Sequence, residues 1–164
     1  MIFKYGCLIA LLIAIPAQAK DVFSGKVSHV TDGDTLWVQA HNGGRVHKLR
    51  LQGMDAPEIC QPGGQVSRDV LARRALHQEV DVTVSYRDVY GRGIATIRLN
   101  GDDLGAEMVR AGQAWSYRWR RNPGPYVAEE ALARKARRGL FAQDQPELPG
   151  DFRKRHGSCH QAKR

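Results

Sequence analysis

Closely spaced strand patterns constrain the fold of this chain more than any other feature of its sequence. Runs rich in β-branched, aromatic and alternating apolar residues lie at 22–31, 36–40, 45–51, 80–84 and 94–99. A turn signal, Asn42-Gly43-Gly44, separates the second run from the third. Strands this short and this consecutive predict a small closed barrel with helices packed against it.

Apolar residues at helical spacing predict about three helices between and after these strands. The first covers 66–77 and the last covers 127–138, where Gly139 provides a stop. A shorter helix is expected after Asp102 or Asp103, either of which can cap it. The predicted fold class is therefore α+β, a five-stranded barrel with about three helices.

The chain shows no internal repeat and no second domain, and the folded domain is expected to span 20–143. The remaining segment, 144–164, contains Pro146, Pro149 and a basic run at 153–155. Its composition predicts a solvated basic tail rather than a folded element, and the basic run is a candidate nucleic-acid contact.

The first 19 residues have the composition of a secretory signal. Lys4 precedes an apolar run at 7–15, and small residues at Ala17 and Ala19 predict cleavage after Ala19. A membrane anchor is the alternative, but the run is much shorter than the roughly 20 residues needed to cross a bilayer. The mature protein is expected to be secreted or periplasmic, without stable membrane association.

Two cysteines, Cys60 and Cys159, remain after this cleavage. Disulfides persist in exported proteins, so an intramolecular bridge is the leading hypothesis. It would join the loop after Glu58 to the tail. Free thiols and an intermolecular bridge are the alternatives.

The formal net charge of +8 favours a polyanionic partner such as nucleic acid. Mere solubility is the alternative explanation for the charge. A membrane-surface role would require a strongly amphipathic basic helix, which the sequence does not offer.

Carboxylates and arginines recur at the predicted turns and strand ends. Asp32-Gly33-Asp34-Thr35 is followed by Arg50, by Asp55-Ala56-Pro57-Glu58, and later by Tyr90-Gly91-Arg92. Asp and Gly alone would indicate only a tight turn. Crowded carboxylates repel one another unless a cation or acid–base chemistry requires them, so the combination predicts a metal site that handles phosphate.

Taken together and in order, these motifs resemble the staphylococcal nuclease, or thermonuclease-like, family over about residues 22–142. The resemblance implies an OB-fold barrel with three helices. It also implies a Ca²⁺-dependent endonuclease that cuts DNA and RNA and leaves 3′-phosphate ends. No obligate protein partner is implied.

The resemblance also implies a ligand set for the metal. Asp34 and Asp55 would supply carboxylates, and the backbone carbonyl of Ala56 would be a third protein ligand. Many family members have threonine where Ala56 stands, but only the carbonyl coordinates, so we expect a mild effect. The histidines show no spacing that indicates a zinc site.

Three further residues receive catalytic roles from the resemblance. Glu58 matches the proposed general base, and Arg50 and Arg92 match the arginines that hold the scissile phosphate. Alternatives stay open for each, because Arg50 could be an ordinary exposed strand residue and Arg92 could simply pair with Asp88. Glu58 could be a charge near a helix N-terminus.

An aromatic and basic stretch at 115–120 contains Tyr117 and Trp119, which are candidates for stacking on nucleobases. Core packing of at least one of them is the favoured alternative. For the whole chain, the alternative to a nuclease is an OB-fold module that binds single strands without cutting them.

Overall fold

The computed structural model describes residues 21–157 and 159 of the chain, so the predicted signal segment 1–19 lies outside the described residues. The strands are β1 (Asp21–Val30), β2 (Thr35–Ala40), β3 (Val46–Leu51), β4 (Met54–Asp55), β5 (Glu79–Arg87), β6 (Gly93–Leu99), β7 (Asp102–Asp103) and β8 (Trp115–Ser116). The helices are α1 (Gly64–Ala75), α2 (Leu104–Arg110), α3 (Val127–Lys135), a 3₁₀ turn at Gly139–Ala142, and α4 (Pro149–His156).

The five long strands close into a barrel. They pair antiparallel in the order β3-β2-β1-β5-β6, and β3 then pairs in parallel with β6. The closing register sets Leu49 opposite Gly93 and Leu51 opposite Ala95. Closure gives each of these five strands a partner on both sides, and the predicted α+β class with a five-stranded OB-type barrel is confirmed.

The barrel interior is filled by alternate residues of each strand. In β2, Leu36 and Val38 are buried while Trp37 between them is exposed. Helices α1 and α2 add Leu71 and Met108 to the same core. Each such side chain contributes roughly 1.5–3 kcal/mol when fully buried, so the barrel and these helices form a rigid support for the residues at its rim.

The short helix α2 begins as the sequence predicts. Asp103 is its N-cap, and its carboxylate accepts hydrogen bonds from the backbone N–H groups of Gly105 and Ala106. A cap of this kind is worth about 1 kcal/mol. The hydroxyl of Tyr126 donates to the same carboxylate, which ties α2 to the segment that leads into α3.

The prediction of a solvated tail after residue 143 is wrong for 149–156, which form α4. Pro149 stands in the first helical turn, where its fixed φ and missing N–H are tolerated. Asp151 in the first turn and Arg153 to His156 in the last turn match the helix dipole. Phe152 is buried, so this helix packs against the domain.

A disulfide joins Cys60 to Cys159, with 5.8 Å between their Cα atoms and a sequence separation of 99 residues. The predicted intramolecular bridge is therefore confirmed, and the free-thiol and intermolecular alternatives are not. In the chain-entropy description, a loop of about 100 residues gives about 4.7 kcal/mol. The bridge fixes the end of α4 beside the loop that follows Glu58.

Within residues 21–157 and 159, no helix is long and apolar enough to cross a membrane.

Candidate catalytic site

A cavity of about 530 Å³ opens on the barrel wall where β3 and β6 meet. Its lining is polar and aromatic, and it includes Arg50, Glu58, Tyr90, Arg92, Tyr117 and Arg153. Five of the six residues predicted to form the catalytic and metal site gather here. Arg50, Glu58 and Arg92 line the cavity, Asp34 and Asp55 bond to Arg50 in its wall, and Ala56 is the sixth.

Arg50 joins the two predicted metal carboxylates. Its Nη1 donates to Oδ1 of Asp34 at 2.7 Å, and its Nη2 donates to Oδ1 of Asp55 at 2.6 Å. The neighbours Leu49 and Leu51 are buried in the barrel, so the alternation along β3 turns Arg50 to the other side. A single guanidinium thus spans both carboxylates.

Asp34 is held in place from several directions. Thr35 donates its hydroxyl to Oδ1 of Asp34 at 3.0 Å, and the backbone N–H of Ala56 donates to Oδ2 at 3.2 Å. The residue is only 3% exposed, and burial raises the pKa of its carboxyl to about 6, against the lowering effect of Arg50. Ala56 thus contacts Asp34 through its backbone N–H, and Arg50 bridges Asp34 and Asp55.

The charge of Arg50 is well supported by these contacts. Burial lowers the pKa of its guanidinium, but the charges of Asp34 and Asp55 raise it more, so the net shift is upward. Among residues 21–157 and 159, no group of three or more His, Cys, Asp or Glu side chains is arranged to hold a metal ion.

Glu58 contacts an arginine that the sequence analysis did not assign to the site. Nη1 of Arg153 donates to Oε1 of Glu58 at 2.8 Å, and Nη2 donates to Oδ2 of Asp55 at 3.0 Å. The basic run at 153–155 was a visible signal, but its assignment to a solvated tail separated it from the site. Burial lowers the pKa of Arg153, but its hydrogen bonds to Asp55 and Glu58 raise that pKa more, so the net shift is upward.

Arg92 lies at the cavity wall and is paired with Asp88. Its Nε donates to Oδ2 of Asp88 at 2.7 Å, and its backbone N–H donates to Oδ1 of the same residue at 2.9 Å. Burial raises the pKa of Asp88, but these hydrogen bonds lower it more. The pairing that the sequence left as an alternative is therefore present, and it holds Arg92 by Nε at the cavity.

The prediction that Tyr117 or Trp119 packs in the core is wrong, since they are 42% and 64% exposed. The core position in this stretch belongs to Trp115, which packs with Phe141. Pairing of β4 with β8 explains the placement of Tyr117, because its N–H donates to the carbonyl of Gly53 at the cavity edge. Tyr117 lines the cavity, whereas Trp119 is not among its lining residues.

Sequence reasoning also passed over two exposed tyrosines in the cavity lining, Tyr86 and Tyr90. Tyr90 could have been found, because it precedes Gly91 and Arg92 in a motif already singled out. Its ring also lies 5.4 Å from the Arg92 guanidinium carbon. Tyr86 carries no such sequence signal. The register of β5 against β6 shifts between Val84 and Tyr86, and an irregularity of this kind can redirect a side chain.

The sequence model of the family described as Staphylococcal nuclease homologue matches residues 48–143, more than half of the chain. The chain belongs to the staphylococcal nuclease family. The resemblance inferred from the motifs is thereby confirmed, and the matched region contains Arg50, Asp55, Glu58 and Arg92.

Two relatives match most of this chain, and a third matches a smaller share of it. A protein named Micrococcal nuclease from Shigella flexneri is 31% identical over 157 residues, covering 89% of this chain and 88% of that protein. A protein named Uncharacterized endonuclease from Escherichia coli O157:H7 is 32% identical, covering 93% of this chain and 98% of that protein. A probable staphylococcal-like nuclease of Oryza sativa subsp. japonica is 32% identical, covering 71% of this chain but 32% of that longer protein.

Proposed function

We propose that this protein is an exported, Ca²⁺-dependent endonuclease that hydrolyses phosphodiester bonds of DNA and RNA with low sequence preference and leaves 3′-phosphate ends. The observation that carries the proposal is the guanidinium of Arg50 bound to Asp34 and Asp55 beside a cavity that Glu58 and Arg92 also line. Two of the relatives are named a micrococcal nuclease and an endonuclease, which supports the same activity.

The donor set suits a hard divalent cation. Asp34 and Asp55 are buried carboxylates that already share one cationic partner, and oxygen atoms are the ligands that Ca²⁺ prefers. Asp34, Asp55 and the carbonyl of Ala56 would hold the ion. When bound, Ca²⁺ supplies positive charge that offsets the negative charge of the phosphate in the transition state.

The two family arginines would bind the scissile phosphate. A planar guanidinium offers two parallel N–H donors to two phosphate oxygens. Arg50 is fixed by Asp34 and Asp55, and Arg92 is fixed by Asp88, so both cations are oriented before substrate arrives. Preorganised donors of this kind stabilise charge that develops in the transition state without a reorganisation cost.

Glu58 would take the proton from the attacking water. Its side chain is 20% exposed and lines the cavity, so it is accessible from solvent while one of its oxygens is held by Arg153. General-base help of this kind contributes about 10² to 10⁴ in rate.

Low sequence preference follows from the remaining lining. Tyr86, Tyr90 and Tyr117 are all exposed around the cavity, and every nucleobase has a face that can stack on an aromatic ring. The net charge of +8 adds a backbone attraction that is independent of sequence and weakens with salt.

Export is supported by two independent features. Residues 1–19 have the composition of a signal peptide. The Cys60–Cys159 disulfide suits an oxidising compartment, secreted or periplasmic.

The test is incubation of the purified mature protein with plasmid DNA, single-stranded DNA and RNA, in Ca²⁺ or in EGTA with other divalent ions removed. We expect cleavage of all three with Ca²⁺ and none with EGTA, and end-group analysis should show 3′-phosphates. Full activity in EGTA would contradict the metal requirement. Tight binding of single strands with no cleavage under either condition would establish the binding-module alternative.

A further inference from the structure

We propose that Arg153, on the C-terminal helix α4, is a positioning residue of the active site that holds Glu58 and Asp55 in their working orientations. This inference rests on the nuclease function proposed above. It gives the last helix of the chain a direct part in the chemistry.

The two Nη atoms of the Arg153 guanidinium contact the carboxylates of both Glu58 and Asp55. Nη1 of Arg153 lies 2.8 Å from Oε1 of Glu58 and 3.3 Å from Oδ1 of Asp55, and Nη2 lies 3.0 Å from Oδ2 of Asp55. Both oxygens of Asp55 therefore have an arginine partner, since Oδ1 also accepts from Arg50 at 2.6 Å. Charge-assisted pairs of this length are directional as well as strong.

Helix α4 is built onto the loop that carries Glu58. Gln61 is buried; its Oε1 accepts from the backbone N–H of Glu58 at 3.1 Å, and its Nε2 donates to the carbonyl of Glu147 at 2.7 Å. The disulfide at Cys60 fixes the chain just beyond the other end of the helix. The two ends of α4 are thus anchored to consecutive residues, Cys60 and Gln61, which follow directly after Glu58 and Ile59.

The charges of the site explain what Arg153 supplies. Arg50 neutralises Asp34 and one oxygen of Asp55. Within the part of the chain that the structure describes, Arg153 is the cation in contact with Glu58. Without it, Glu58 would lose the partner that restricts its rotamers, because the side chain is partly exposed and its other described hydrogen bonds are made by its backbone.

The same charge has an opposite effect on metal binding. A cation held against Asp55 repels a second cation at that carboxylate. Arg153 should therefore favour the catalytic orientation of Glu58 while weakening Ca²⁺ binding. Its removal should lower kcat and, at the same time, raise the affinity for Ca²⁺. A residue with a purely structural role would not produce that split.

The experiment compares Arg153→Ala and Arg153→Lys with the wild-type protein, and Lys135→Ala serves as the control. Lys135 is exposed at the end of α3 and is not among the residues that line the cavity. Calorimetry without substrate measures the Kd for Ca²⁺, and cleavage of single-stranded DNA at saturating Ca²⁺ gives kcat and KM.

For Arg153→Ala we expect kcat to fall about 10- to 100-fold, with little change in KM, and the Kd for Ca²⁺ to fall about tenfold. Arg153→Lys keeps the charge but loses the fork, so its Ca²⁺ affinity should stay near that of the wild type while kcat recovers only in part. Lys135→Ala should match the wild type in Ca²⁺ affinity, kcat and KM.

Unchanged kcat in Arg153→Ala, or unchanged Ca²⁺ affinity, overturns the proposal. A rise in kcat in Arg153→Ala also overturns it, and would show that the contact of α4 with Glu58 is inhibitory. If Arg153→Ala melts at a much lower temperature, Arg153→Gln, which keeps most of the side-chain length, replaces it under the same criteria. A wild-type protein that binds Ca²⁺ but cleaves nothing would overturn the proposed function alone, since the Ca²⁺ affinities still report on Arg153.

Discussion

Asp34 and Arg50 are 16 residues apart in the sequence, yet their side chains meet at 2.7 Å. The register of β2 against β3 explains the contact, because Thr35 lies opposite Arg50 and Asp34 is the residue just before Thr35. The arginine is thus delivered by strand pairing rather than by a flexible loop. An element this rigid can fix a guanidinium for two-point recognition of phosphate.

This geometry predicts a large effect for Arg50→Lys. A lysine keeps the positive charge but lacks the planar fork, so it can neither bridge Asp34 and Asp55 nor donate to two phosphate oxygens at once. We expect kcat on single-stranded DNA to fall by about 10²-fold or more. Arg45→Lys, at an exposed position before β3, is the matched control and should stay near wild type. Near-normal turnover of Arg50→Lys would make Arg50 a structural residue.

Glu58→Gln separates catalysis from binding. Glutamine keeps the size of the side chain but cannot accept the proton of the attacking water, so we expect a loss of about 10² to 10⁴ in kcat. Affinity for single-stranded DNA should persist, because the basic surface remains and the net charge becomes more positive. Gel-shift binding and cleavage assays on the same preparation check both. Glu79→Gln, on the exposed side of β5, is the control.

The disulfide should stabilise both the fold and the site. Replacing Cys60 and Cys159 together with serine should lower the free energy of unfolding by about 2–5 kcal/mol, measured by urea denaturation. Because the bridge anchors the segment that follows Arg153, kcat should fall in the same direction as in Arg153→Ala. Treating the wild type with a thiol reductant should reproduce both effects. Equal urea midpoints for wild type and double variant would contradict the stability prediction.

The sequence predicts the barrel and the motif residues well, because their signals are local. Alternation around Arg50 shows which way its side chain points, and Asp103 is visible as a cap. The tail is different, since α4 is short and its stability comes from burial of Phe152 and from links to Cys60 and Gln61. Contacts between residues nearly 100 positions apart leave no periodic pattern, so Arg153 could not be placed from the sequence.

The prediction of core packing for Tyr117 or Trp119 is wrong for a related reason. Trp115, Tyr117 and Trp119 alternate like residues on one side of a strand, but β8 ends at Ser116. The hydrogen bonds between Trp119 and Asn122 then form a turn that carries Trp119 away from the core. Only Trp115 therefore remains inside, and the direction of its neighbours depends on this turn rather than on residue type.

The buried carboxylate of Glu130 leads to a prediction about acid stability. Glu130 lies in α3 and is buried, and its oxygens accept from Arg118 at 2.6 Å, from Arg134 at 2.8 Å and from the backbone N–H of Ser116 at 2.9 Å. Burial raises the pKa of Glu130, but these hydrogen bonds lower it more, so the net shift is downward. These contacts bind the segment that carries Tyr117 to α3.

A carboxyl whose pKa is lowered by folding stabilises the protein above its unfolded-state pKa, and that contribution is lost as the pH falls through the folded-state value. Glu130→Gln should therefore lower the free energy of unfolding at neutral pH by about 1–3 kcal/mol, because it removes the charge that Arg118 and Arg134 contact. The difference between variant and wild type should shrink progressively below the ordinary glutamate value of 4.5. Urea unfolding across this pH range measures it, with Glu129→Gln, whose carboxylate contacts Arg110 at 3.4 Å, as the neighbouring control. A difference that stays constant from neutral to acid pH would show that packing, rather than the charge of Glu130, holds this segment.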